Sequence, residues 1–204
     1  MARSAQAMLV SFLILTILIL VLVGATYLWA WPLLKRSANQ NELERLESSM
    51  IPLSDAIVQV ANERSQRSIP FEIRSGSLFM TEENGGRIRY SANLELPAGL
   101  STGAQGIILL GNASDSGPCR ALGIGVLGQD GPACLLEKGS IILDLYYIQL
   151  NDTTTGHCYG VRLQPGTQAA TGRGRHNILL KWVNETGEAG ACDTTYQVVS
   201  VDMQ

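Results

Sequence analysis

A chain of 204 residues has room for one domain with an appendage, and its composition, with a formal net charge of −3, is that of an ordinary globular protein. Residues 75–204 carry eight Lys and Arg against twelve Asp and Glu, which argues against an electrostatic footprint for nucleic acid. The apolar residues are unevenly spread, and the densest block lies at the start of the chain, where a soluble fold has no need of it.

From Ser4 to Leu34 there is no formally charged residue, and Met8 to Val23 is almost entirely Leu, Ile, Val and Phe. At about 1.5 Å per residue this stretch makes a helix about 46 Å long, against a hydrocarbon core of about 30 Å. A transmembrane helix is therefore predicted over residues 6–34. Tyr27, Trp29 and Trp31 cluster at its far end, where amphipathic rings prefer the headgroup layer, and Lys35 and Arg36 follow. Cleavage after Ala25 as an ordinary signal peptide would satisfy the small-residue rule through Val23 and Ala25, but the apolar stretch is long for that role.

Orientation rests on opposing signals. Arg3 precedes the span while Lys35 and Arg36 follow it, which by the positive-inside rule favours a cytoplasmic C-terminal part. Against this stand three N-glycosylation sequons, Asn112-Ala113-Ser114, Asn151-Asp152-Thr153 and Asn184-Glu185-Thr186. Four cysteines, Cys119, Cys134, Cys158 and Cys192, are confined to the same part, and an even count suits an oxidising compartment. The expectation is a single-pass protein of the cell membrane with its C-terminal domain extracellular.

Beyond the span, Leu43, Leu46, Met50, Leu53, Ile57 and Val60 recur at alternating intervals of three and four, a heptad seam. Charged residues from Glu42 to Arg67 fill the other faces, so residues 35–68 are expected to form an amphipathic helical stalk. Pro52 is expected to kink it or start a second piece, because proline lacks the amide hydrogen of a helix interior. The seam packs either on the chain's own β domain or against other copies.

After Ile69 the period drops to two. Ile88, Tyr90, Ala92, Leu94 and Leu96 alternate with Arg87, Arg89, Ser91, Asn93 and Glu95, the pattern of a strand with one wet face. Further strands are predicted at 71–74, 77–81, 106–110, 121–127, 141–150, 159–163, 178–183 and 196–201, with turns at Gly85-Gly86, Gly117-Pro118, Asp130-Gly131-Pro132 and Pro165-Gly166. The predicted fold class is α+β, a long N-terminal helix followed by an antiparallel β-sandwich-like head over 69–204.

Little in the sequence points to chemistry. Gly123-Ile124-Gly125-Val126-Leu127-Gly128 spells the dinucleotide fingerprint, but Gln129-Asp130-Gly131-Pro132 follows, where the fingerprint needs a helix to receive the pyrophosphate. A glycine-rich strand or turn is the better reading. His157 adjoins Cys158, yet the cysteines are separated by 14, 23 and 33 residues, unlike the close ligand pairs of structural zinc sites. Disulfides fit better, with Cys119–Cys134 and Cys158–Cys192 preferred among three pairings. The two histidines, His157 and His176, come with no G-x-S-x-G and no carboxylate pair in a recognisable setting, so no catalytic residue, metal or cofactor is expected.

Arg3-Ser4-Ala5-Gln6-Ala7, an apolar helix, an amphipathic continuation and a β head follow one another in an order that resembles archaeal type IV pilins and pilin-like proteins with class III signal peptides. The segments Gly24 to Leu34, Ile69 to Arg74 and Gly76 to Leu78 resemble pilin-like archaeal membrane proteins, so the likeness covers the first 80 residues or so. It implies a leader, Met1 to Ala5, removed by a membrane prepilin peptidase, with Arg3, Ser4, Ala5 and Gln6 at the processing site. It also implies self-association in a surface filament whose core is the apolar helix. Val10 stands where many pilins have glutamate, and the leader has one basic residue where many have several. The alternative is a solitary tethered protein whose extracellular β domain is a binding or adhesion module.

Overall fold

The computed structural model describes residues 2–92, 102–110, 123–139, 142–190 and 192–204, by their backbone alone at 2–11, 32–33, 35–43, 47, 84, 102–110 and 137–139. The chain divides into two compact units, Met1–Asn41 and Glu42–Gln204. One helix, α1 (Ala2–Glu63), begins in the first unit and ends in the second.

The second unit adds β1 (Gln66–Ile73), β2 (Ser77–Thr81), β3 (Arg87–Ser91), β4 (Thr102–Leu110), β5 (Gly125–Val126) and β6 (Ala133–Gly139). It continues with β7 (Ile142–Tyr147), β8 (Leu150–Asn151), β9 (Cys158–Pro165), β10 (Ala170–Thr171), β11 (Gly174–Glu188) and β12 (Thr194–Met203). These form two six-stranded sheets: sheet A in the order β1-β11-β12-β9-β8-β5, and sheet B in the order β10-β2-β3-β7-β6-β4.

The last turns of α1 and both sheets share one apolar core. Leu46, Met50, Leu53, Ile57 and Val60 are fully buried in it, beside Ile73, Ile178, Val199 and Met203 of sheet A and Leu78, Tyr90, Leu143 and Leu145 of sheet B. Five of the six seam positions therefore pack on the chain's own strands; the side chain of the sixth, Leu43, lies outside those described. Two polar contacts tie the helix to each sheet in turn. The Tyr147 hydroxyl donates to the Ser54 carbonyl at 3.3 Å on the sheet B side, and Arg45 pairs with Glu72 of β1 at 3.3 Å.

Pro52 neither ends α1 nor divides it. A proline in a helix interior costs about 3 kcal/mol. Each large apolar side chain fully buried contributes about 1.5–3 kcal/mol, and Met50 and Leu53 flank the proline on the buried face. The Ser48 and Ser49 hydroxyls both donate to the Arg45 carbonyl, at 2.7 and 2.8 Å, closing the turn that precedes it.

The helix stops five residues short of the expected stalk boundary. Arg64 adopts φ 52°, and the Ser65 amide donates to the Val60 carbonyl at 3.2 Å, a left-handed cap of the Schellman kind that usually calls on glycine. Strand β1 then starts at Gln66, three residues before the expected head boundary at Ile69. Arg64 is held in this conformation by Glu185 at 2.6 Å and by the Trp182 ring, 5.6 Å from its guanidinium carbon.

Sheet B is antiparallel in all its pairs, whereas sheet A is mixed: β12 runs parallel to β9, and β5 parallel to β8. The reason for the first pair is topological. Between β9 and β11 the chain crosses to sheet B through β10, and the last strand inserts between β9 and β11. The β11–β12 hairpin fixes β12 antiparallel to β11, which runs against β9, so β12 must run with β9. At the β2–β3 turn Gly86 has φ 92°, and a Cβ there would meet the backbone of Leu163 in β9.

Strands β6 and β10 have no counterpart in the sequence-based reading, and the 141–150 strand resolves into β7 and β8. Residues 93–96, 117–118, 121–122 and 141 of the predicted strands and turns lie outside those described.

Ile57→Ala should lower the stability of the detergent-solubilised chain by about 2–4 kcal/mol in denaturant unfolding, through lost transfer energy and a residual cavity. Ile51→Ala, at an exposed position of the same helix, should cost less than about 1 kcal/mol.

Candidate functional site

The most unusual surface of the molecule is the apolar stretch of α1. Phe12–Trp31, 20 residues, is long and apolar enough by length and composition to cross a bilayer, and none of it is buried within the chain. Its hydroxyls are internally satisfied: Thr16 donates to the Phe12 carbonyl at 2.8 Å and Thr26 to the Leu22 carbonyl at 2.7 Å. No backbone or hydroxyl donor in these turns needs water, which suits hydrocarbon. Tyr27 and Trp31 stack at 5.7 Å, one turn apart, at the end of the stretch where amphipathic rings favour the interface.

In the second unit a cleft of about 550 Å³ lies where α1 ends against sheet A. Val58, Ala61, Leu150 and Val161 supply an apolar floor, with Asn62, Asp130 and Gln197 among the polar groups at its sides. Asp130 is committed to its own turn, accepting from the Val126 amide at 2.7 Å. Gln197 accepts from the Trp182 indole at 2.8 Å and donates to Glu185 at 2.9 Å.

The anticipated site residues are widely scattered. Arg3, Ser4, Ala5 and Gln6 lie within the first turns of α1. Cys158 and Cys192 form a disulfide with Cα atoms 5.8 Å apart, joining β9 to the segment that leads into β12. This removes Cys158 as a zinc ligand beside His157. Cys134 is also disulfide-bonded, while Cys119 lies outside the described residues. Asn184 is exposed on β11, Asn151 sits half-buried in β8, and Asn112 is outside the described residues. The glycine-rich segment forms β5 and the turn after it, where the Asp130 amide donates to the Val126 carbonyl at 2.9 Å. Among the described residues no group of three or more His, Cys, Asp or Glu could hold a metal ion.

Two polar arrangements escaped the sequence reading. Arg89 grips Asp144 with two hydrogen bonds, at 2.5 and 3.1 Å, across the β3–β7 pair. An aspartate inside the apolar run Ile141–Tyr147 was the signal, since a buried carboxylate needs a cation. Tyr147, a buried residue, has its hydroxyl pKa raised by desolvation and serves as a hydrogen-bond donor to α1. The chain matches no known protein family, no curated protein and no solved structure.

Three partly exposed carboxylates have depressed pKa values: Glu72 through the hydrogen bond from Arg74, Asp152 through the Thr155 hydroxyl, and Asp202 through the Gln168 amide. Because the folded values lie below the unfolded ones, their stabilisation is complete above the ordinary carboxylate range and is lost as pH falls through the folded values. The denaturant midpoint should therefore hold from neutral to about pH 5 and decline below about pH 4, less steeply in Asp202→Asn. Cys158→Ser with Cys192→Ser should cost about 3–4 kcal/mol in the same assay, from the closure entropy of a loop with sequence separation 34.

Proposed function

We propose that the chain is a membrane-anchored structural protein of the cell surface, a pilin-like subunit or minor pilin whose apolar helix resides in lipid and then in a filament core. The observation that carries this reading is the double use of α1. It is apolar and uncovered over Phe12–Trp31, and its final turns fill the core of a mostly β unit. A helix in lipid gains no hydrophobic energy by moving into an apolar bundle, so close packing between copies would drive assembly.

The head would face the exterior as a sandwich-like unit of two sheets with the end of α1 in its core. The Cys158–Cys192 disulfide and the exposed Asn184 sequon support that side of the membrane. On this reading the partners are the bilayer, sister copies and a prepilin peptidase acting at Ala5, and the function is mechanical and not enzymatic. The cleft at the end of α1 favours the second reading, a solitary tethered binding module.

Three measurements on native membranes test the proposal. The protein should resist extraction by alkaline carbonate, its head should be cut by protease added to intact cells, and its intact mass should lack Met1 to Ala5. Release by carbonate refutes the anchor, and protection from external protease refutes the topology. An uncut N-terminus with no filaments in electron micrographs leaves the tethered module in place of the pilin.

A further inference from the structure

We propose that the face of sheet A turned away from the shared core carries a binding site for a neutral saccharide, centred on Arg162, Glu188, Tyr196 and Gln149. Alternation places these groups together. Leu163, Val199 and Val201 point into the core, so Arg162 of β9 and Tyr196 of β12 lie on the opposite face. Glu188 joins them because the bulge between Trp182 and Asn184 resets the register of β11, bringing Glu188 opposite Thr194.

The four side chains hold one another in place. Arg162 donates to the Glu188 carboxylate at 2.6 Å, and its guanidinium carbon stands 4.3 Å from the centre of the Tyr196 ring. The Gln149 amide donates to the Tyr196 hydroxyl. Tyr196 is paired across the parallel ladder with Gly160, where a Cβ would come within 2.8 Å of the ring, so only glycine leaves room for this arrangement. The cleft beside them measures about 360 Å³ and is closed by Ile124, Ile148 and Val161. That volume lies in the range of small-ligand sites, about 300–1,000 Å³.

The chemistry selects the ligand class. The Arg162–Glu188 pair carries no net charge, so an anion would have to displace Glu188 and a cation would meet the guanidinium. Hydrogen-bonding capacity remains: the Arg162 guanidinium has N–H donors beyond the one given to Glu188, and the second carboxylate oxygen of Glu188 and the side-chain carbonyl of Gln149 can accept. Fixed planar donors and acceptors match the vicinal hydroxyls of a pyranose, which donate and accept at once. The exposed apolar side chain of Ile124 matches its C–H face. The proposal holds whether or not copies of the chain assemble.

Saturation-transfer NMR on the full chain in dodecylphosphocholine, a sugar-free detergent, tests it with methyl β-D-glucopyranoside, methyl β-D-galactopyranoside, methyl α-D-mannopyranoside and sodium glucuronate. Transfer to the ring protons of at least one neutral glycoside is expected. It should fall about ten-fold in Arg162→Ala and several-fold in Gln149→Ala, each with the parent's thermal unfolding transition. Should Arg162→Ala lose that transition, Glu188→Gln carries the test, with a several-fold loss expected. No transfer to any of the neutral glycosides, or transfer that survives these variants, overturns the proposal. Glucuronate binding more tightly than the neutral sugars also overturns it, because the cleft would then be an anion site.

Discussion

The burial of the α1 seam under the chain's own strands is the constraint on which the second unit depends. Leu46, Met50, Leu53, Ile57 and Val60 lie in the same apolar cluster as residues of both sheets. Strands β1, β3, β11 and β12 have one face patterned for that cluster and cannot bury it against water. Removing the last turns of α1 would uncover sheet A and sheet B together. One helix thus has two different environments: Leu46 to Val60 lie in the core of the second unit, while Phe12–Trp31 is uncovered by the chain.

That dual use explains why a heptad seam, so often a mark of helix-to-helix pairing, is occupied within one chain here. A period of alternating three and four reports only that one stripe of the helix is apolar; it does not say what covers the stripe. The strands supply the cover because β1 follows α1 after a two-residue turn and pairs along its whole length with β11. Arg45 of the helix then meets Glu72 on sheet A, and Arg64, just past the helix end, meets Glu185.

The sequence was most readable where one physical effect dominated. The apolar run Phe12–Trp31 and the alternation around Ile88 and Tyr90 could be assigned because hydrophobic spacing alone decides them. Reading failed where effects competed. Pro52 was expected to kink the helix or to start a second piece, and α1 runs through it as one element with Met50 and Leu53 buried on either side. Arg64 caps the helix in a conformation usually left to glycine, held by partners more than 100 positions away. The parallel β9–β12 pair has no local signal, since direction within a sheet is set by the order of connections. The site on the outer face of sheet A was hidden for the same reason: Gln149, Arg162, Glu188 and Tyr196 become neighbours only once that order is known.

The pairing of β1 with β11 also sets a timetable for synthesis. Ile73 faces Gly174 and Gln66 faces Lys181, so the strand made directly after the helix waits for a partner made near the end of the chain. A nascent chain that has not yet reached Gly174 holds α1 with its seam bare toward sheet A. Such long-range closure is slow and leaves sticky surface open in the interval. The core between the two sheets therefore closes last, when β11 and β12 take their places between β1 and β9.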